Sequence, residues 1–135
     1  MKVNILMSTY NGQQFLAEQI RSIQEQSYTD WTLFIRDDGS SDNTKEILKD
    51  FERQDSRIHL IDSDKSDNLG VIKSFHKLVN HDRADYYFFS DQDDVWLPNK
   101  LELSLKEAQN YLADLPLMVY MDLKVVNQDL KIMTE

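Results

Sequence analysis

Cysteine is absent from this 135-residue sequence, and proline and glycine are scarce, with two and three residues. The lack of cysteine excludes disulfides and thiolate metal sites and makes a reducing compartment the simpler expectation. So little proline and glycine excludes a collagen-like or low-complexity chain. No stretch approaches the roughly 18 apolar residues of a membrane span, and the amino terminus has no signal-peptide core. We therefore expect a cytoplasmic protein, which reaches the inner face of a membrane only through residues outside this chain.

Basic residues are also in the minority, with 15 Lys and Arg against 24 Asp and Glu and a formal charge of −9. This balance argues against nucleic acid as a partner, since phosphate backbones are bound by basic surfaces. It does not exclude a small phosphate ligand, because one bound metal ion reverses the local field. The length gives room for one domain with one core, which we place over residues 1–135.

Apolar runs alternate with segments of helical spacing along the whole sequence. This alternation predicts an α/β fold with a mainly parallel sheet and helices on both faces. Helices are expected at 13–26, after Asn43 with Glu46 completing a capping box, at 71–79 and from Pro98. The expected strands are residues 3–7, 32–36, 58–61, 86–89 and 117–123, followed by an incomplete hairpin over 125–133.

Three of the loops that follow expected strands are rich in hydrogen-bonding groups, namely residues 8–11, 37–42 and 91–94. Ligands of open α/β sheets bind at the carboxyl ends of the strands. The three loops are therefore expected to open on one edge of the sheet and to form a site. Taken singly, each loop also has a purely structural interpretation, as a turn or a helix start.

The loop after the fourth expected strand carries Asp91, Asp93 and Asp94 within four residues. Carboxylates this close repel one another unless a cation lies between them. Mg²⁺ and Mn²⁺ prefer oxygen ligands, and Mg²⁺ is often held by one or two carboxylates plus phosphate oxygens. The spacing predicts a metal-diphosphate site with Asp93 as the stronger candidate ligand and Asp91 as the second. Trp96, just beyond, is expected to be a packing residue.

The other two loops offer groups for a nucleotide. Asp38 at the end of the second strand could accept the N3 hydrogen of uracil or thymine, and Asp37 with Gly39 also fits a simple turn. Ser8 and Tyr10 could supply a hydroxyl group and a flat ring to a base, whereas a structural role is favoured for Thr9.

Four segments together resemble family 2 glycosyltransferases, in the order and spacing of that family. They are residues 5–12 (ILMSTYNG), 37–44 (DDGSSDNT), 68–70 (NLG) and 91–98 (DQDDVWLP). Residues 35–38 (IRDD) and the opening of the chain look most like streptococcal polysaccharide rhamnosyltransferases. After residue 70, however, Ser74, Phe75 and His76 stand where many relatives have Ala-Arg-Asn.

The resemblance implies a Rossmann-like GT-A fold, a dTDP- or UDP-linked sugar donor, Mg²⁺ or Mn²⁺, and sugar transfer with inversion. By motif, Ser8 and Tyr10 would lie along the nucleotide and Asp38 would contact the pyrimidine. Asp91 would face the ribose or the donor sugar, and Asp93 would bind the metal. The implied donor is dTDP-rhamnose, and the acceptor a cell-wall, capsular or lipid-linked glycan.

The catalytic base of that family lies beyond its acidic motif, so we expect it beyond Glu135 and interpret the chain as the donor-binding half of a longer enzyme. Such a chain would bind donor and metal but transfer sugar poorly or not at all. Two alternatives stay open at this point. One is a phospho-acceptor receiver domain, with Asp37 and Asp38 as metal acids and Asp91 as the phosphorylated residue. The other is a non-catalytic nucleotide-sugar-binding module.

Overall fold

A computed structural model describes residues 1–64, 67–111, 114 and 116–119 of the chain. Four strands alternate with four helices along these residues. Within the described residues, no helix combines the length and the apolar character needed to cross a bilayer. In chain order the elements are β1 (Val3–Thr9), α1 (Leu16–Gln24), β2 (Thr32–Asp37), α2 (Thr44–Gln54), β3 (Ile58–Ile61), α3 (Val71–His81), β4 (Tyr86–Ser90) and α4 (Lys100–Ala108).

The four strands form one parallel sheet in the order β3-β2-β1-β4. In register, Ile5 of β1 lies opposite Leu33 of β2 on one side and Phe88 of β4 on the other. The order 3-2-1-4 is that of Rossmann-like sheets, whereas receiver domains follow the order 2-1-3-4-5. The receiver alternative is therefore wrong.

Helices cover both faces of this sheet, as the sequence predicted. The alternation of side chains along a strand sends Ile5 and Met7 toward α1, α2 and α4, and sends Leu6 toward α3. The first core contains Ile20 of α1, Leu48 of α2 and Leu101 of α4. The second core is smaller and is closed by Leu78 of α3 together with Phe34 and Ile61.

The expected strands and helices are present, but several ends and caps differ. β1 and β2 run to Thr9 and Asp37, two and one residues beyond the expected ends, because they stay paired with each other there. Helix α1 begins at Leu16, since residues 13–15 form a turn on the Gly12 carbonyl. The capping box predicted at Asn43 is wrong: Asn43 is the N-cap residue, but its side chain makes no capping hydrogen bond.

Strand β4 is less buried than its aromatic sequence predicted. It lies at one end of the described sheet, and the Phe89 side chain is 59% exposed. Residues 117–119 of the expected fifth strand are described and are not in a strand. Residues 120–123 and the predicted hairpin lie outside the described residues, so that part of the prediction stays a prediction.

Candidate functional site

The loops that follow β1, β2 and β4 meet at the carboxyl edge of the sheet. We call them the β1 loop (residues 10–15), the β2 loop (38–43) and the β4 loop (91–99). Because β1 lies between β2 and β4, its loop has the other two as neighbours. The convergence predicted from the sequence is therefore confirmed.

Asp37, the last residue of β2, builds the turn that starts the β2 loop. Its carboxylate accepts hydrogen bonds from the Thr9 hydroxyl (2.8 Å), the Ser40 backbone amide (2.8 Å) and the Ser40 hydroxyl (2.6 Å). Gly39 within this turn has φ 88°, a conformation that glycine adopts without strain. The structural interpretation of Asp37, Gly39 and Thr9 is thus confirmed, and Thr9 is 1% exposed.

Hydrogen bonds join the β1 loop to the β2 loop and to the start of α2. The Asn11 amide donates to the Ser40 hydroxyl (2.8 Å), while the Asn11 side-chain oxygen accepts the Ser41 amide (2.8 Å). The Gly12 amide donates to the Thr44 hydroxyl (2.9 Å). Asn11 therefore connects the β1 loop to the β2 loop.

Gln92 joins the β1 loop to the β4 loop. Its side-chain oxygen accepts the Tyr10 amide (2.8 Å), and its side-chain nitrogen donates to the Tyr10 carbonyl (3.0 Å). Gly12 leaves room for this contact, since a Cβ atom on Gly12 would lie 2.3 Å from the Gln92 side-chain oxygen. Through these bonds the nucleotide candidate Tyr10 is connected to the loop that carries the acidic cluster.

Asp38 is nearly buried, with 4% exposure, at the point where the β2 loop meets the start of α3. Its Oδ1 accepts hydrogen bonds from Arg36 Nη1 (2.6 Å) and the Leu69 amide (2.7 Å), and its Oδ2 accepts the Gly70 amide (2.9 Å). Burial raises the pKa of the Asp38 carboxyl, but these hydrogen bonds and the Arg36 charge outweigh it and hold the pKa below its usual range.

Ser8 is half-buried beside this group, and its hydroxyl donates to the Ser74 hydroxyl (2.8 Å). Ser74 in turn lies 3.4 Å from Arg36 Nη1. Ser8 and Asp38 are therefore linked through two buried side chains. Gly70, which donates to Asp38, has φ 86° and ψ 162°, a backbone region that is essentially restricted to glycine.

Asp91, Asp93 and Asp94 are exposed in the β4 loop. Loss of surrounding water raises the pKa of the Asp94 carboxyl, and the charges of Asp91 and Asp93 raise it further against the opposing charge of Lys100. Asp94 is therefore close enough to Asp91 and to Asp93 for their charges to repel its own, which is the condition that a bound cation relieves.

The donor set at the β4 loop fits a hard divalent cation that also binds phosphate. Asp91 and Asp93 offer carboxylate oxygens, and neither side chain accepts a hydrogen bond from another described residue. No group of three or more His, Cys, Asp or Glu side chains in the described residues could hold a metal ion by itself. A cation here would need further oxygen ligands, such as those of a diphosphate and water.

The predicted site residues thus fall into two connected groups, with Ser8 and Asp38 around Arg36, and Tyr10, Asp91 and Asp93 around Gln92. Trp96 is 7% exposed and packs against Phe88, as expected of a core residue. Sequence reasoning missed Arg36 and Gln92. Arg36 could have been found as a charged residue inside an otherwise apolar strand, since such residues are buried only when paired.

Comparison with known proteins agrees with this geometry. The family model described as Glycosyl transferase family 2 matches residues 4–130. The chain is 38% identical over 99 residues to the dTDP-rhamnosyl transferase RfbG of Shigella flexneri, covering 71% of this chain and 34% of that protein. It is 34% identical over 103 residues to the glucosyltransferase WfgD of Escherichia coli, covering 76% of this chain and 39% of that protein. The chain thus spans about a third to two fifths of these curated relatives.

Solved glycosyltransferases share the fold at low sequence identity. The mannosyltransferase PcManGT of Pyrobaculum calidifontis, solved with GDP-Man and Mn²⁺, superposes with a TM-score of 0.66 at 20% identity, covering 84% of this chain and 32% of that one. Residues 1–349 of Staphylococcus aureus TarS, solved with UDP-GlcNAc, superpose with a TM-score of 0.64 at 22% identity, covering 80% and 30%. The fold is of the GT-A type, and with nearly the whole sequence matched by the family model, this chain belongs to glycosyl transferase family 2.

Proposed function

We propose that the carboxyl edge of the sheet binds a nucleotide-diphosphate sugar with Mg²⁺ or Mn²⁺, as the donor half of an inverting glycosyltransferase. The observation that carries the proposal is the joining of the β1, β2 and β4 loops by hydrogen bonds of Asn11, Thr44 and Gln92. A nearly buried acceptor for a base, Asp38, and an exposed acidic cluster are thereby held at the same edge of the sheet. Membership of the family supports the donor class.

In this proposal Ser8 and Tyr10 lie along the nucleotide, and Asp38 accepts a hydrogen bond from the pyrimidine. Asp93 binds the metal, and Asp91 binds it too or faces the ribose or donor sugar. The metal, when bound, stabilises the charge of the departing diphosphate. The protein residues orient the donor: Tyr10 is 49% exposed and can offer its ring, and Asp38 has a fixed carboxylate.

We propose dTDP-rhamnose as the donor and a cell-wall, capsular or lipid-linked glycan as the acceptor of the whole protein. The similarity to RfbG, named a dTDP-rhamnosyl transferase, supports the donor. Transfer of the sugar needs a base that removes the proton of the acceptor hydroxyl group. We place that base beyond Glu135. A non-catalytic nucleotide-sugar-binding module would use the same surface, and a sugar-transfer assay on a longer chain distinguishes the two.

The proposal is tested by titrating the 135-residue chain with dTDP, UDP, GDP and ADP, with and without Mg²⁺ or Mn²⁺, while amide chemical shifts are followed. We expect dTDP or UDP to bind in a metal-dependent manner and to shift residues of the β1, β2 and β4 loops. Asp93→Asn should weaken the metal-dependent binding about tenfold or more, because a charged ligand of the cation is lost.

Asp30→Asn is the matched control. Asp30 is also exposed, but it precedes β2 and so lies toward the opposite edge of the sheet. Its substitution should leave nucleotide and metal binding unchanged. Absence of binding by every nucleotide, or equal weakening in both variants, would contradict the proposed site.

A further inference from the structure

Arg36 is fully buried in the middle of the candidate site, with 0% exposure. Its guanidinium contacts four acceptors that belong to different segments of the chain. Nη1 lies 2.6 Å from Asp38 Oδ1 and 3.4 Å from Ser74 Oγ, Nε lies 3.2 Å from Asp62 Oδ2, and Nη2 lies 3.4 Å from Asp67 Oδ1. Asp38 is the most buried of its acidic partners, since Asp62 is 24% and Asp67 50% exposed at the side chain.

The contacts of Asp38 leave it the capacity for one more hydrogen bond. An ionised carboxylate has about four lone-pair positions and no hydrogen to donate. Two positions on Oδ1 are taken by Arg36 and the Leu69 amide, and one on Oδ2 is taken by the Gly70 amide. The remaining lone-pair position on Oδ2 can accept a hydrogen bond from a ligand, but an ionised carboxylate cannot donate one.

We propose that Arg36 determines base specificity by holding Asp38 as an acceptor only, so that the site takes bases with an N3–H group, uracil or thymine, and rejects cytosine. This inference rests on the proposed function of the site. Uracil and thymine present a hydrogen at N3. Cytosine presents a lone pair at the same atom, which would face the carboxylate oxygen with no hydrogen between them. Arg36 acts through Asp38 and is therefore a positioning residue.

The charges around Asp38 make this role specific to Arg36. Asp37 is its neighbour in sequence, Asp62 and Asp67 come from the segment before α3, and Lys77 of α3 pairs with Asp62 (3.1 Å). Among these groups, Arg36 alone brings a positive charge into hydrogen-bonding contact with Asp38. Without that charge, only the Leu69 and Gly70 amides would oppose the effect of burial, so the protonated carboxyl, which can donate a hydrogen to cytosine N3, would form more readily.

The experiment compares UDP with CDP, which share ribose and diphosphate and differ in the base edge. Dissociation constants are measured with Mg²⁺ at about pH 7.5 and about pH 5.5 for the unmodified chain, Arg36→Gln and Arg36→Lys. For the unmodified chain we expect UDP to bind about tenfold or more tighter than CDP at the higher pH. Arg36→Gln keeps hydrogen-bond donors but removes the charge, so its UDP preference should shrink, and more at the lower pH.

Arg36→Lys restores the charge and should restore, at each pH, the preference for UDP that the unmodified chain shows. A structural role alone would change stability or both affinities equally, without this dependence on pH and charge. The inference is overturned if Arg36→Gln keeps the full preference at both pH values. It is also overturned if the unmodified chain binds UDP and CDP equally, an outcome that leaves the proposed donor site intact. If the unmodified chain binds no nucleotide at all, the proposed function fails first.

Arg36→Gln removes a buried positive charge from among three carboxylates and risks misfolding, so Arg36→Gln combined with Asp62→Asn, which removes one of the negative charges, serves as the second variant. Amide spectra and thermal unfolding establish which variants are folded. At the lower pH cytosine itself begins to gain a proton at N3 and can then donate to an ionised carboxylate, so each variant is compared with the unmodified chain at the same pH.

Discussion

Asp55 illustrates, outside the candidate site, how strongly one side chain can couple stability to pH. Its carboxylate accepts hydrogen bonds from Arg57 Nε (3.0 Å), Arg57 Nη2 (2.9 Å) and Gln24 Nε2 (3.1 Å). The Arg57 guanidinium also lies 3.9 Å from the centre of the Trp31 ring. The hydrogen bonds from Arg57 outweigh the effect of burial and lower the pKa of Asp55 to about 2.

The stability that this interaction contributes should be lost in acid. Because the pKa of Asp55 is lower in the folded than in the unfolded state, its contribution is complete above the ordinary pKa of 3.8 and is lost as pH falls toward about 2. Asp55→Asn should therefore lower the free energy of unfolding by about 2 kcal/mol at neutral pH and by little near pH 2. Urea unfolding over this pH range measures both values.

Asp50→Asn is the control for this prediction, since Asp50 also pairs with an arginine, Arg53, but both side chains are more than half exposed. Exposed pairs contribute little, so this variant should unfold like the unmodified chain at every pH. A constant difference between Asp55→Asn and the unmodified chain from neutral pH down to about pH 2 would contradict the assignment.

At the scale of elements, the start of α2 depends on a residue that the sequence pattern did not single out. Thr44 is fully buried, its hydroxyl accepts the Gly12 amide, and it donates to Asp42. Thr44→Val keeps the shape but leaves the buried Gly12 amide without an acceptor. We expect a loss of about 1–3 kcal/mol in the free energy of unfolding, measured by urea denaturation.

Two further variants separate this effect from ordinary capping. Thr44→Ser keeps the hydroxyl group and should recover most of the stability. Asn43→Ala removes the expected capping side chain, which makes no capping bond, and should change stability by about 0.5 kcal/mol or less. A larger loss for Asn43→Ala than for Thr44→Val would show that the capping box forms after all.

Most elements could be predicted from the sequence because their apolar periodicity reflects burial. Strands β1 to β4 and helices α1 to α4 all lie close to their expected positions. The ends could not be predicted equally well, because they depend on distant partners. The extension of β2 to Asp37, for example, depends on pairing with Thr9, which is 28 positions away in the sequence.

The arrangement of the whole molecule explains why part of the site could not be predicted from the sequence. The convergence of three loops followed from a parallel sheet, but which loops are neighbours depends on the order β3-β2-β1-β4. Arg36 precedes an acidic pair, and its four partners come from segments up to 38 positions away. Gln92 stands within an acidic cluster, and its partner Tyr10 is 82 positions away. Local patterns do not contain such pairings.

The two hydrogen bonds between the Gln92 side chain and the Tyr10 backbone form a bridge between the β4 loop and the β1 loop. Loss of this Gln92 bridge should affect both loops. Gln92→Ala removes both hydrogen bonds to the Tyr10 backbone, and we expect a loss of about 1 kcal/mol in stability together with faster hydrogen exchange of the Tyr10 amide. Gln14→Ala, at an exposed glutamine of the β1 loop, should change neither quantity. Unchanged exchange at Tyr10 in Gln92→Ala would contradict the bridge.

Gln92 also satisfies both backbone groups of Tyr10 with a single side-chain amide, as a neighbouring strand would. The β1 loop and the β4 loop are therefore held together before any ligand binds. Under the proposed function, such a preformed arrangement lowers the ordering cost of binding, so more of the interaction free energy is left as affinity for the nucleotide.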